Sequence, residues 1–227
     1  MDFLDTRKNV VDNPTDKQQS ASLGADHDLH SSGDLIGPPP LGGNRFTGWL
    51  GRSVLKITGW QIQGELPQYK KMVIAVAPHT SNWDFFLGVA VLFALRIKIK
   101  FLGKHSIFVP PVKTLLKRIG GIPVDRRSAH GVVNQIAMQF AQSEQMILAV
   151  APEGTRSAIY PWKSGFLCIA QESQVPVQLV AFDFKFKRVI IEKVLHPSNN
   201  RDDDMRLVYD YFSTINAKYP EKLVTHS

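Results

Sequence analysis

The sequence predicts an α/β fold: a single domain whose mostly parallel or mixed central sheet is flanked by helices, preceded by a disordered N-terminal tail. Three observations lead there. Short β-branched runs alternate along the chain with segments of helical period, the pattern left by strand–helix–strand crossovers. The apolar runs Met72 to Ala77 and Met146 to Ala151 each empty into a polar loop, as strands do at the carboxyl edge of an open sheet. Residues 1–45, by contrast, hold no hydrophobic period and are rich in Asp, Ser, Gly and Pro.

The expected division is therefore a tail over residues 1–45, closed by the stiff spacer GPPPLGG at 37–43, and a folded domain over 46–227. Seven Asp against four Lys and Arg give the tail a net charge of −3, which leaves +10 on residues 46–227 of the chain's overall +7. A basic domain seeks nucleic acid, an anionic membrane or an acidic small substrate. Nucleic acid is not expected, because the aromatic residues do not interleave with the basic ones as a stacking platform requires. The one cysteine, Cys168, excludes an internal disulfide, fits a reducing compartment, and sits in the apolar run GFLCIA as a packing residue. No apolar stretch follows Met1, so no secretory signal is expected.

The elements follow in chain order. Phe46, Trp49, Leu50, Val54 and Ile57 recur at helical spacing with Arg52 and Lys56 elsewhere on the turn. That is the outline of an interfacial helix over 46–57 with aromatic anchors, although a core-facing amphipathic helix shares the spacing. Residues 60–66 alternate and read as a strand, and 72–77 as a buried strand. Pro78 and Thr80-Ser81-Asn82 then make a turn, and Trp83 to Leu95, apolar almost all round, predicts a buried helix. No apolar run reaches the roughly 20 residues needed to cross a bilayer. Ile97, Ile99 and Phe101 alternate with lysines as a strand with one wet face. A helix over Pro110 to Ile119, the short strand Ile122 to Val124, a helix through Val132 to Phe140 and the strand 146–151 come next. A helix near 163–172, the strand Pro176 to Phe182, an alternating run through Glu192 and a helix near 203–218 complete the chain.

Three loops after apolar strands hold the chemistry. His79 and Asp84 follow the first, Arg126 and Arg127 the second, and Glu153, Gly154 and Arg156 the third. Parallel strands bring such loops to one edge. A His in the strand-to-helix turn, with an Asp on the first helical turn, suits a general base and the carboxylate that orients it. Ser81-x-x-Asp84 is equally a capping box, with Asp84 serving backbone donors. Arginines beside a glycine that admits backbone to a ligand suit a phosphate-bearing alcohol.

These blocks, HTSNWD (79–84), GGIPVDR (120–126), PEGTRS (152–157) and VPVQLV (175–180), with FLGKHSIF (101–108) between the first two, resemble those of the glycerolipid acyltransferase family, and most of all its bacterial lysophosphatidate acyltransferases. The resemblance covers about residues 58–185. It implies that His79 deprotonates an acceptor hydroxyl while Asp84 orients it. It further implies that Arg126, Glu153, Gly154 and Arg156 hold the glycerol phosphate, with Lys104 a weaker candidate for the same anion, and that Pro176 is structural. Pro78 stands where the family often has Asn, and Leu179 where it often has a second proline.

The reaction so implied moves a fatty acyl group from acyl-CoA or acyl-carrier protein to the hydroxyl of a lysophospholipid, 1-acyl-sn-glycerol-3-phosphate foremost, giving phosphatidic acid. A lyso-aminolipid or another lysophospholipid is the alternative acceptor. No cofactor and no metal are expected, since thioesters are already activated and His-x-x-x-x-Asp lacks a third ligand nearby. The partners expected are the thioester donor, the lysolipid and an anionic membrane surface, met peripherally at the cytoplasmic face of the inner membrane. A serine hydrolase would need a G-x-S-x-G elbow, which the chain lacks. A non-catalytic basic module remains the other class that the charge permits.

Overall fold

A computed structural model describes residues 35–124, 129–155 and 157–223; Arg126, Arg127 and Arg156 lie outside the described residues. The elements run α1 (Arg45–Thr58), β1 (Gln61–Gly64), β2 (Lys71–Ala77), α2 (Trp83–Leu95), β3 (Lys100–Lys104), α3 (Val112–Arg118), β4 (Gly121–Val124), α4 (Ala129–Gln142), β5 (Met146–Val150), α5 (Gly165–Glu172), β6 (Val177–Asp183), β7 (Arg188–Leu195) and α6 (Arg201–Ser213). Short 3-10 turns lie at His105–Ile107 and Pro220–Lys222.

The seven strands lie in the order β1-β7-β6-β2-β5-β3-β4. β2 runs parallel to both β5 and β6, and β3 parallel to β5 and β4. β7 is antiparallel to β6, and β1 is parallel to β7, so the sheet is mixed as the sequence predicts. β2 can sit centrally because both its faces are apolar, the signature of a strand buried on two sides. Met72 and Ile74 enter the layer beneath α1 and α2, together with Leu87, Ala90, Val91 and Ala94. Val73, Ala75 and Ala77 enter the opposite layer, with Phe140, Phe166, Leu167 and Phe212 of α4, α5 and α6.

Four expectations change in the structure. The Pro-Gly stretch expected to close the tail lies along the domain: Ile36 bridges Tyr69 and Leu41 bridges Ile97. Lys70 N donates to Leu35 O and Lys98 N to Pro40 O, both at 2.8 Å, so carbonyls of this stretch satisfy main-chain donors just before β2 and β3. The strand expected from Ile97 begins at Lys100, because Arg96 ends α2 in the left-handed conformation (φ 54°) and residues 97–99 are used in turning away. The last helix stops at Ser213 rather than near Lys218, since Ile215 turns into the core.

The fourth change concerns α1 and α2. α1 buries Gly48, Gly51 and Leu55 and leaves Phe46, Trp49, Leu50, Val54 and Ile57 exposed, so its apolar stripe faces outward. The glycines that weaken it as a helix are what let it approach α2. A Cβ on Gly51 would come within 2.4 Å of Ala94 N and 2.6 Å of Ala90 O. α2, expected to be buried all round, exposes Trp83, Phe85 and Phe86 at its first turn while Leu87, Ala90, Val91 and Ala94 are buried.

Because backbone rather than a movable side chain stands at that contact, Gly51→Val should force the two helices apart. The expected cost is about 1–3 kcal/mol in urea-denaturation stability, with Ser53→Val, beside it on the helix, causing a smaller change.

Candidate active site

The carboxyl ends of β2, β3, β4, β5 and β6 share one edge of the sheet, and the loops leaving β2 and β5 meet there. The main-chain N–H of His79 donates to Glu153 Oε2 at 2.7 Å, which ties the two loops together. Five residues on, the Asp84 carboxylate returns to the same place: its Oδ2 is 3.5 Å from His79 Nδ1. The Asp84 side chain is wholly enclosed and that of His79 is 23% exposed, so the imidazole keeps one open side.

Asp84 does two tasks at once. Ser81 N–H donates to Oδ2 at 2.7 Å and Ser81 Oγ to Oδ1 at 2.9 Å, which is the reciprocal end of a capping arrangement at the start of α2. The same Oδ2 faces the imidazole. One carboxylate thus makes the capping contacts and stands 3.5 Å from the ring nitrogen. Its burial is tolerable because two donors and the positive end of α2 offset the charge. Ser81, 6% exposed, is a residue that reasoning from the histidine passed over as a functional support, although the Ser-x-x-Asp spacing signalled it.

Glu153 is 4% exposed, and its second oxygen, Oε1, has no hydrogen-bond partner among the described residues. Burial pushes this carboxyl up from 4.5 to about 8; the His79 N–H pulls against that, and the negative Asp84 adds to it. At neutral pH it is thus mostly a neutral acid with an O–H to give. Gly154 follows in the left-handed region (φ +66°), where a side chain is strained, and the Lys163 stem packs beside it, 3.3 Å from where a Cβ would stand.

The structure brings together His79, Asp84, Glu153 and Gly154. Lys104 ends β3 at the same edge, in register with Val124 of β4. Arg126 and Arg156 fall outside the described residues. Among the described residues no group of His, Cys, Asp and Glu is placed to hold a metal ion.

The family model described as Acyltransferase matches residues 60–183. The chain belongs to the acyltransferase family. It is 30% identical over 137 residues to the chloroplastic 1-acyl-sn-glycerol-3-phosphate acyltransferase BAT2 of Brassica napus, covering 57% of this chain and 38% of that protein. The chain therefore spans well under half the length of that relative. Among solved structures it resembles the 1-acyl-sn-glycerophosphate acyltransferase PlsC of Thermotoga maritima, with a TM-score of 0.51 and 17% identity over 77% of this chain and 80% of that one. At that identity the likeness shows the acyltransferase fold alone.

The raised Glu153 carboxyl has a consequence for stability. Between about pH 4.5 and about pH 8 the unfolded chain releases this proton while the folded one keeps it, so this group lowers stability as pH rises through that window. Glu153→Gln should therefore gain stability relative to wild type at about pH 8 and gain little at about pH 5. Urea midpoints at the two pH values check it.

Proposed function

We propose that this acyltransferase moves a fatty acyl group from a thioester donor, acyl-CoA or acyl-carrier protein, to the free hydroxyl of a lysophospholipid, 1-acyl-sn-glycerol-3-phosphate foremost. The observation that supports it most directly is the imidazole of His79 standing against an enclosed Asp84 carboxylate, with its side chain still 23% exposed. With Nδ1 turned to Asp84, Nε2 is the nitrogen assigned to the acceptor hydroxyl in this reading.

His79 takes the proton of the acceptor hydroxyl as that oxygen attacks the thioester carbonyl. The carbonyl oxygen becomes an oxyanion, the carbon–sulfur bond then breaks, and the imidazolium returns its proton to the departing thiolate. Asp84 steadies the positive ring between those steps. A neutral Glu153 fits a site for a phosphate-bearing alcohol, because its O–H can donate to an acceptor oxygen where a carboxylate would repel the phosphate. Arg126, Arg156 and Lys104 are the cations that the family pattern assigns to the same phosphate.

The substrate lies in a bilayer, and the chain is proposed to meet it peripherally. Among the described residues no helix is long and apolar enough to cross a membrane. The stripe of α1 is exposed, Ile57 by 84%, and so are Trp83, Phe85 and Phe86 of α2. Exposed apolar side chains on a domain of +10 charge suit an anionic leaflet, where each nearby Lys or Arg contributes about 1 kcal/mol. The cytoplasmic face of the inner membrane is the proposed location, being the reducing side that a lone cysteine suits.

His79→Ala and Asp84→Asn should each lower thiol release by about 10²- to 10⁴-fold while circular dichroism stays native. A panel of lysophosphatidate, other lysophospholipids and lyso-aminolipids identifies the acceptor; free fatty acid released without transfer would overturn the reading in favour of a hydrolase. Trp49→Ser with Ile57→Ser should weaken binding to anionic vesicles by about tenfold or more, since each side chain gives up roughly 1.5 kcal/mol or more of apolar burial. Vesicle co-sedimentation measures it.

A further inference from the structure

The segment after α6 returns to the catalytic edge and brings two lysines with it. Phe184 N–H, just past β6, donates to Asn216 O at 2.9 Å, and Asn216 Nδ2 donates to Asp183 Oδ2 at 3.1 Å. Tyr219 N–H reaches Thr80 Oγ1 at 3.4 Å, and Thr80 is the buried neighbour of His79. Held between these points, Lys218 Nζ lies 4.8 Å above the Trp83 ring, 5.7 Å from Tyr219 and 6.0 Å from Phe184. Lys222 Nζ lies 4.6 Å above the other ring of the group, Tyr219.

We propose that Lys218 and Lys222 bind the phosphate of the acyl donor, the phosphate ester that coenzyme A and phosphopantetheinyl donors have in common. The inference rests on the acyl-transfer reading and adds to it the place where the second substrate is held. Among the described residues neither lysine is ion-paired with a carboxylate. Aromatic faces attract an ammonium and fix its position without neutralising it, so its charge stays available to an anion. Lys218 is half-buried among its rings, so much of the ordering that binding would require is already done.

Topology decides which substrate these lysines serve. The residues that the family pattern gives to the acceptor phosphate follow β3, β4 and β5, all on one side of β2. Lys218 is attached beside the end of β6, on the other side of β2. Two substrates that meet at His79 approach most simply from opposite flanks, and the flank of β6 is left for the donor. In a thioester donor the pantetheine arm links the phosphate to the reacting carbon, and Lys218 lies next to Trp83 on the first turn of α2, the helix that follows the His79 loop. Both lysines lie beyond residues 60–183, the part that matches the family model.

The test uses the full chain and three donors with one acyl group: the CoA thioester, the 4′-phosphopantetheine thioester and the pantetheine thioester, which has no phosphate. Lys218→Ala with Lys222→Ala should raise KM for the two phosphate-bearing donors by about tenfold, the loss of a hydrogen bond to a charged group. The acceptor KM and the rate with the pantetheine thioester should not change, and Lys218→Arg should retain most donor affinity. Equal losses on all three donors, a raised acceptor KM, or weaker vesicle binding at unchanged donor KM would each overturn the proposal; the last would assign the lysines to lipid headgroups. Calorimetric titration with coenzyme A separates the two readings. Equal affinity in wild type and double variant sinks this site, whereas binding that the variant weakens, without thiol release to any lysolipid, sinks the acyl-transfer reading alone.

Discussion

A hydrogen bond from the His79 main chain to the Glu153 carboxyl ties the two loops of the site together, and it depends on two strands being adjacent and parallel. β2 and β5 are paired over Lys71 to Ala75 and Met146 to Val150, which sets the loops that leave them side by side. A slip of one residue would reverse the faces of β2 and set Met72 and Ile74 in the wrong layer. The apolar packing on both sides of the sheet thus fixes the register, and the register places an acid from one loop against the backbone of another. The geometry of this edge is a by-product of strand burial.

The same contact explains why two carboxyls can share so small a space. Asp84 is stabilised by Ser81 and by the start of α2, whereas Glu153 has one main-chain donor and an enclosed environment. Their surroundings push them toward different protonation states. Asp84 stands beside the His79 ring, and Glu153 has a proton to donate at neutral pH.

A second constraint lies between α1 and α2. Close helix packing through Gly48 and Gly51 uses little apolar side-chain area, so the large residues of α1 are left outside. In water that arrangement is unfavourable, and against a bilayer it is useful. The first turn of α2 is also aromatic and exposed, through Trp83, Phe85 and Phe86.

By itself the sequence determined the alternation of strands and helices, the pairing of His79 with Asp84 through a five-residue spacing, and membership in a family whose motifs are local. Each depends on neighbours along the chain, where spacing translates directly into geometry. The direction in which α1 faces was not legible, because the same spacing serves a core or a membrane and only the partner helix chooses. The Pro-Gly stretch at 37–43 looked like spacer for a similar reason: its hydrogen bonds go to Arg96, Lys98 and Gln68, far away in sequence. The neutral character of Glu153 and the return of Lys218 to the rings of Trp83 and Phe184 were also beyond reach. Both arise from enclosure and from contacts between residues far apart in sequence, which only the packed sheet brings into being.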